Sequence, residues 1–335
     1  MRKCLFIVGL SSLVFSCSAQ KNTSNSTVDP NPKPTTSTLV KTDTPKNHTE
    51  SYKGVEFYKK NIGDITKNDN TISYGSIVTA DPKGFKVVKT YFPSLAQNFR
   101  QKYIVLHYTA IPLDKSILAL TERSVSAHYL VNDKDDNEIY QLVDENKRAY
   151  HAGISLWRSD KNMNDNSIGI EIVNMGYVVD STGKRVFAPF NEIQLKKVFQ
   201  LVKDIADRYQ IPATNILGHS DVAPTRKQDP GPMFPWKKLF EEQNIGMWYD
   251  DASMKSIMMT SMADFDMNKD KNTFIFKCQQ DLQKLGYDIN PSGSWNDDNK
   301  KVVEAFQFHF RPENYDGAVD LVTYSILQAL LQKYK

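Results

Sequence analysis

Two histidines and one aspartate in this chain have side chains that could bind a metal ion together. They are His107, His219 and Asp229. Two imidazoles and one carboxylate supply three of the four ligands that zinc takes, and catalytic zinc sites, unlike structural ones, keep the fourth position for water. The local motif His-Glu-x-x-His is absent from the sequence. The set therefore predicts a catalytic zinc site, with one zinc ion per chain.

Each candidate ligand follows a segment that can hold it in place. His107 ends an apolar run over 103–107, which indicates a buried strand, and His219 ends a second apolar run over 216–219. Asp229 precedes Pro230, which favours extended backbone at Asp229 and so restricts where the carboxylate can point. We expect further strands over 128–132, 138–143 and 168–173, a short helix over 116–122 and a long helix over 190–209. This alternation predicts an α/β fold, a central sheet flanked by helices.

A single carboxylate, Glu171, interrupts the apolar strand over 168–173. The sequence around Glu171 and around the three candidate ligands resembles that of the zinc-dependent N-acetylmuramoyl-L-alanine amidases of the type 2 amidase fold. The resemblance is strongest to the outer-membrane lipoprotein members of this family. The resemblance runs from about Val55 to the C-terminus. Seven motifs occur in the order typical of the family, over 107–110, 125–131, 150–155, 169–171, 187–190, 226–232 and 306–312.

The resemblance implies a mixed central β-sheet flanked by helices, with zinc in a cleft at its face. It also implies hydrolysis of the amide between the lactyl group of N-acetylmuramic acid and L-alanine, in peptidoglycan or in muropeptides. Zinc chemistry alone does not identify that bond. One alternative is a peptidoglycan-binding receptor without catalysis, but such relatives lack part of the metal set, which is complete here. Another is a zinc peptidase, and the missing His-Glu-x-x-His argues against only the commonest kind.

Amide hydrolysis needs a base to activate water and a cation to stabilise the oxyanion, and two residues are candidates. Glu171 is the candidate base, since burial on a strand should raise the pKa of its carboxyl group while a nearby zinc ion would lower it. Lys227 is the candidate cation, two residues before Asp229. On residue type alone, the favoured assignments are a salt-bridged strand carboxylate for Glu171 and a solvated loop cation for Lys227. The resemblance favours the catalytic roles.

Four other residues are expected to contact substrate, namely His151, His128, Asn174 and Trp157. For His151 the alternative is a structural hydrogen bond, and for His128 it is the role of a hydrogen-bonded core histidine. Nothing in the spacing of Asn174 or Trp157 shows contact with sugar or peptide. Asp221 could orient a ligand histidine from behind, or could serve only as a helix cap.

The first residues of the chain are typical of an exported lipoprotein. Arg2 and Lys3 precede a short apolar stretch that ends at Cys17, in a segment that resembles a bacterial lipobox. We expect a signal peptide over 1–16, a lipid anchor on Cys17, and a location at the outer membrane facing the periplasm. Cleavage would lower the formal charge from +3 to +1 by removing Arg2 and Lys3, so nucleic acid is not an expected partner. We expect a monomer.

Composition and periodicity divide the rest of the chain. Residues 17–50 are rich in Ser, Thr, Asn, Pro and Lys, which predicts a disordered tether. The catalytic domain is expected over 51–246, a linker over 247–271, and a small three-helix domain over 272–335. The resemblance makes this last domain peptidoglycan-binding-like. A separate module of this kind could be removed without loss of turnover on small muropeptides, and Cys278 and His309 would be structural residues within it.

Overall fold

The computed structural model describes the strands His48–Tyr52 and Val55–Lys59 and residues 80, 82–86 and 98–334. The predicted signal peptide, Cys17 and most of the predicted tether lie outside the described residues. In chain order, the strands are β1 His48–Tyr52, β2 Val55–Lys59, β3 Tyr103–Tyr108, β4 Tyr129–Val131, β5 Ile139–Gln141, β6 Leu156–Trp157, β7 Asp160–Lys161, β8 Ser167–Ile172, β9 Tyr177–Val179, β10 Arg185–Phe187 and β11 Ile216–Gly218. The helices are α1 Leu113–Glu122, α2 Glu192–Tyr209, α3 His219–Val222, α4 Trp236–Gln243, α5 Asp251–Asn268, α6 Asn272–Leu285, α7 Asp297–Phe310 and α8 Leu321–Lys333.

The central sheet has five strands in the order β11-β3-β8-β4-β5. The first four are parallel, and β5 pairs with β4 in the antiparallel direction, so the sheet is mixed as expected. Residues 103–106 of β3 are buried on both faces of the sheet, which explains the unbroken apolar run of this strand. The five predicted strands are therefore confirmed, with ends that differ by one or two residues.

Helix α2 covers the sheet and is the long helix that the sequence predicts. Its N-cap, Asn191, accepts a hydrogen bond from the backbone N–H of Gln194, which satisfies a free donor of the first turn. Its buried face carries Leu195, Val198, Val202 and other residues at helical spacing. At its C-terminal end, Gln210 adopts a left-handed conformation with φ 54° and Pro212 prevents further helix.

Most of the segment expected to be a linker, 247–271, forms helix α5, which the sequence did not predict. Asp250 caps its N-terminus by accepting a hydrogen bond from the N–H of Ser253. The helix has weak apolar periodicity because it is mostly exposed and only Phe265 is buried within it. Met and Ala, which are good helix formers, nevertheless occupy seven of its 18 positions. Helices α6, α7 and α8 confirm the three predicted C-terminal helices.

The C-terminal helices share one apolar core with the sheet. A single cluster of buried side chains includes Ile104 of β3 and Trp157 of β6, and it extends to Leu282, Tyr287 and Phe306 of the C-terminal region. The catalytic region and the C-terminal helices are therefore packed together as one body.

None of the described helices is long and apolar enough to cross a membrane.

Candidate metal centre and active site

The parallel strands place the candidate chemical groups at one edge of the sheet. His107 on β3 and Glu171 on β8 are partner residues in adjacent strands, so their side chains point to the same face. On the other side of β3, strand β11 ends at Gly218, and α3 begins with His219. Open sheets of parallel strands bind their ligands at the carboxyl ends of the strands, where these residues lie.

His107, His219 and Asp229 converge on one point. The Nδ1 atoms of His107 and His219 are 2.9 Å apart, and they lie 2.9 Å and 3.0 Å from Oδ2 of Asp229. Tetrahedral ligands at about 2.0–2.1 Å from zinc are separated by roughly 3.3 Å, so these atoms need to move apart only slightly. Among the described residues, they form a buried group of metal-ligand type. The structure therefore brings together the three predicted ligands.

The hydrogen bonds behind His219 leave its Nδ1 atom free to bind a metal. Its Nε2 atom lies 3.0 Å from the carbonyl oxygen of Ala152 and therefore carries the proton. Arg226 fixes the same carbonyl through a hydrogen bond of 2.8 Å. Because a neutral imidazole has one protonated nitrogen, the Nδ1 atom of His219 presents its lone pair to the site.

A chain of hydrogen bonds has the same effect at His107. The hydroxyl group of Ser167 donates to the carbonyl of Met163, so it accepts from Nε2–H of His151 at 3.2 Å. The Nδ1 atom of His151 is then an acceptor for Nε2–H of His107, at 3.0 Å. This order leaves the lone pair of His107 Nδ1 pointing at His219 and Asp229. The donor set therefore fits zinc, in the tautomers that metal binding requires.

The ionisation states of the ligands also suit a cation. Burial is the main cause that lowers the pKa of His107 to about 4, so this imidazole is neutral at neutral pH. Burial opposes ionisation of Asp229, but its interactions with His219 and His107 outweigh that effect and hold its pKa below the usual range. Neutral imidazole and ionised carboxylate are the forms that bind metals.

Glu171 lies beside this group as an unpaired carboxyl group. Its Oε2 atom is buried and has no hydrogen-bond partner among the described residues. Burial, and then the charge of Asp229, raise the pKa of Glu171 to about 8, while the charge of Lys227 lowers it. An unpaired buried carboxylate is costly, so this group is placed to take up a proton or to face a cation. Lys227 is close enough to act on the pKa values of both Glu171 and His107.

Hydrogen bonds within the protein occupy the polar groups of the four residues that are expected to contact substrate. Trp157 is fully buried, and its Nε1–H donates to a backbone carbonyl. The amide group of Asn174 and both ring nitrogens of His128 are likewise occupied by backbone groups. His151 uses both of its ring nitrogens inside the protein, which favours the structural alternative. These polar residues satisfy buried hydrogen-bonding groups, a role that residue type alone does not distinguish from ligand contact.

Sequence reasoning missed Ser167 and Arg226 as parts of the site. Arg226 lies next to Lys227 in a motif that the sequence singles out, so its neighbourhood carried a signal. Ser167 has no such signal, because its effect depends on the position of His151 across the fold.

Comparison with protein families gives two matches. Residues 97–232 match the N-acetylmuramoyl-L-alanine amidase family, and residues 274–327 match a peptidoglycan binding domain. Among curated proteins, the N-acetylmuramoyl-L-alanine amidase AmiD of Escherichia coli is 41% identical over 242 residues, which cover 70% of this chain and 84% of AmiD. The 1,6-anhydro-N-acetylmuramyl-L-alanine amidase AmpD of Enterobacter cloacae is 39% identical over 116 residues, 35% of this chain and 56% of AmpD.

Solved structures agree with these matches. A complex of E. coli AmiD with the substrate anhydro-N-acetylmuramic acid-L-Ala-D-gamma-Glu-L-Lys superposes with a TM-score of 0.67 and 38% identity, covering 76% of this chain and 97% of that one. AmpDh3 from Pseudomonas aeruginosa, in complex with anhydromuramic pentapeptide, has a TM-score of 0.63 and 37% identity, covering 77% and 99%. These matches include the C-terminal region as well as the sheet. The chain belongs to the N-acetylmuramoyl-L-alanine amidase family.

Proposed function

We propose that this chain is a zinc-dependent amidase that hydrolyses the bond between the lactyl group of N-acetylmuramic acid and L-alanine. The observation that carries the proposal is the unpaired carboxyl group of Glu171 beside three convergent candidate ligands. The relatives support the substrate class, because AmiD and AmpDh3 were solved with anhydromuramyl peptides. We therefore expect muropeptides, including those with an anhydro sugar, among the substrates.

His107, His219 and Asp229 would hold the zinc ion. When bound, zinc polarises a carbonyl group and makes water more acidic. Three ligands leave a coordination position for water or substrate, as in other catalytic zinc sites. The hydrogen bonds that the two imidazoles donate, His219 to the carbonyl of Ala152 and His107 to Nδ1 of His151, would keep the ligands oriented, so that binding needs little rearrangement.

Glu171 and Lys227 would carry the proton and the charge of the reaction. Glu171 takes a proton from the attacking water and returns it to the amide nitrogen, which leaves as the free amine of L-alanine. The lactyl group is released as a carboxylate. The ammonium group of Lys227 stabilises the negative oxygen that develops on the carbonyl. This division of roles agrees with the buried position of Glu171 and with the influence of Lys227 on its pKa.

Two substitutions separate the roles of base and ligand. Glu171→Gln keeps the shape of the side chain but cannot accept a proton, so turnover should fall by at least about 10²-fold while zinc content and muropeptide affinity persist. Asp229→Ala removes a charged ligand, so zinc content and turnover should fall together. Elemental analysis and muropeptide turnover measure both effects. Full zinc content in Asp229→Ala would contradict the ligand assignment, and near-normal turnover in Glu171→Gln would contradict the base assignment.

We also propose that the protein is anchored by lipid at Cys17 and acts at the outer membrane, facing the periplasm. The lipobox-like segment before Cys17 supports this proposal. Several acyl chains on one cysteine would hold the protein firmly, whereas one chain binds only marginally. Labelling with a radioactive fatty acid tests it: the wild type should carry label and Cys17→Ser should not. Label on the Ser variant would show that the anchor lies elsewhere.

A further inference from the structure

Asp221, two residues after His219, has a fully buried carboxylate that is held from two sides. Within its own segment, its Oδ2 atom accepts a hydrogen bond of 2.7 Å from the backbone N–H of Gly218. From the C-terminal region, the hydroxyl group of Tyr287 donates to Oδ1 at 2.6 Å, and Nδ1 of His309 donates to Oδ2 at 2.8 Å. Asp221 thus ties the junction between β11 and α3 to the C-terminal helices.

This junction carries one candidate ligand, His219, and contacts the segment that carries another, Asp229. His219, the first residue of α3, follows Gly218 directly, so the bond to Gly218 N–H fixes the backbone from which this ligand projects. The backbone N–H of Ser220 donates to the carbonyl of Asp229 at 2.8 Å. A side chain on Gly218 would come within 2.7 Å of Pro230, so the two segments are in close contact. A shift of Asp221 would therefore displace two ligands together.

Tyr287 and His309 are themselves firmly placed. Tyr287 is almost fully buried, and its ring meets Trp157 edge to face with centroids 5.0 Å apart. The ring of His309 stacks on Trp236, with centroids 3.9 Å apart and planes at 14°. Both residues lie within the region that matches a peptidoglycan binding domain. Their partners belong to the catalytic region, so the two donors reach Asp221 across the boundary between the domains.

From this geometry we infer that the C-terminal domain organises the metal centre through Asp221, with Tyr287 and His309 as positioning residues. The inference rests on the proposed zinc function. It assigns to the domain a part in metal binding, in addition to any contact with peptidoglycan. Groups that hydrogen-bond to the segments carrying metal ligands act by orienting those ligands, and their loss weakens metal affinity by about 10–100-fold.

Tyr287→Phe in the full-length protein tests the inference most cleanly, because it removes one hydroxyl group and keeps the ring. Tyr334→Phe is a matched control, since the hydroxyl group of Tyr334 bonds to the backbone of Trp248, away from Asp221. Competition with a colorimetric chelator gives the dissociation constant of zinc, and denaturation gives the stability of the zinc-free protein. We expect zinc binding about 10-fold weaker or more in Tyr287→Phe and unchanged in Tyr334→Phe.

Substitutions at His309 provide an independent measurement. His309→Phe keeps an aromatic ring on Trp236 but cannot donate to Asp221, so it should weaken zinc binding as Tyr287→Phe does. His309→Asn loses the ring but keeps a donor near the position of Nδ1, so it should bind zinc more tightly than His309→Phe. Wild-type zinc affinity in both Tyr287→Phe and His309→Phe would overturn the inference, as would equal weakening in Tyr334→Phe. Failure of the wild type to bind zinc would instead contradict the proposed function.

Discussion

At the scale of single residues, the candidate metal centre depends on which nitrogen of each imidazole carries the proton. A backbone carbonyl fixes the proton of His219 on Nε2, and His151 and Ser167 together fix the proton of His107 on Nε2. None of these three supporting groups touches the convergence point of the ligands. They decide whether the ligand atoms offer lone pairs or protons, and a metal binds only the former.

Ser167→Ala should weaken zinc binding without changing the fold. The substitution leaves Nε2–H of His151 without an acceptor, which favours the other tautomer and moves a proton onto Nδ1 of His107. We expect the dissociation constant of zinc to rise by about 10-fold. Ser116→Ala is the matched control, because the buried hydroxyl group of Ser116 on α1 donates to the carbonyl of Pro112, the residue before the helix. Equal zinc affinity in the two variants would rule out the proposed chain of hydrogen bonds.

The raised pKa of Glu171 predicts a dependence of stability on pH in zinc-free protein. Burial raises this pKa from 4.5 to about 8, so between these values the folded chain keeps a proton that the unfolded chain releases. The free energy of unfolding should therefore fall as the pH rises from about 5 to about 9, and Glu171→Gln lacks this contribution. Denaturation in the presence of chelator should show the variant gaining stability relative to wild type over this range. A difference independent of pH would contradict the assigned pKa.

At the scale of secondary structure elements, strand β8 must approach His151 closely. A Cβ atom on Gly169 would lie 2.4 Å from Cγ of His151, so no other residue fits this position without a shift. Strand β8 therefore contributes to the site in two ways. Its Glu171 lies beside His107, and its Gly169 leaves room for the imidazole of His151, which accepts a hydrogen bond from His107.

Gly169→Ala should destabilise the protein by about 1–3 kcal/mol, as is usual for overpacking in a core. In a background of His151→Ala the clash is absent, so the same change should cost much less. Chemical denaturation of the two single variants and the double variant measures this coupling. Additive effects would show that Gly169 and His151 do not interact in the way described.

Local patterns in the sequence predicted the central strands and α2, because apolar runs and helical spacing reflect burial directly. The ligands and Glu171 were predicted from their types and motifs, and their placement at one sheet edge follows from parallel pairing. Helix α5 was missed because an exposed helix has little apolar periodicity. The role of Trp157 was missed because a tryptophan buried under Gly286 and Tyr287 has the same local sequence as one that contacts substrate.

At the scale of the whole molecule, the C-terminal domain is part of the folded body. Its helices complete the core around Trp157, and further contacts join Phe187 to Phe308 and Arg185 to Glu304. Sequence reasoning expected a separable module, since residues at a domain interface have the same apolar spacing as residues inside a small bundle. The shared core and the donors to Asp221 argue instead for mutual dependence.

Truncation after Asp250 should therefore yield a poorly folded protein and not an active fragment. The cut would expose Trp157 and Trp236 to solvent. Exposure of one large buried apolar side chain lowers the free energy of unfolding by about 1.5–3 kcal/mol. We expect a clear fall in the melting temperature, followed by circular dichroism, and loss of turnover on small muropeptides. A fragment with the melting temperature and turnover of the full chain would show that the C-terminal domain is separable, as the sequence predicted.

The most direct test of the proposed function is mass spectrometry of the products from a purified anhydromuramyl peptide, with and without a zinc chelator. We expect two products, an intact stem peptide with a free amine on L-alanine and a sugar with a free lactyl carboxylate. Chelator should stop their formation, and added zinc should restore it. Cleavage between amino acids of the stem peptide, or undiminished activity in protein shown to be free of zinc, would contradict the proposed function.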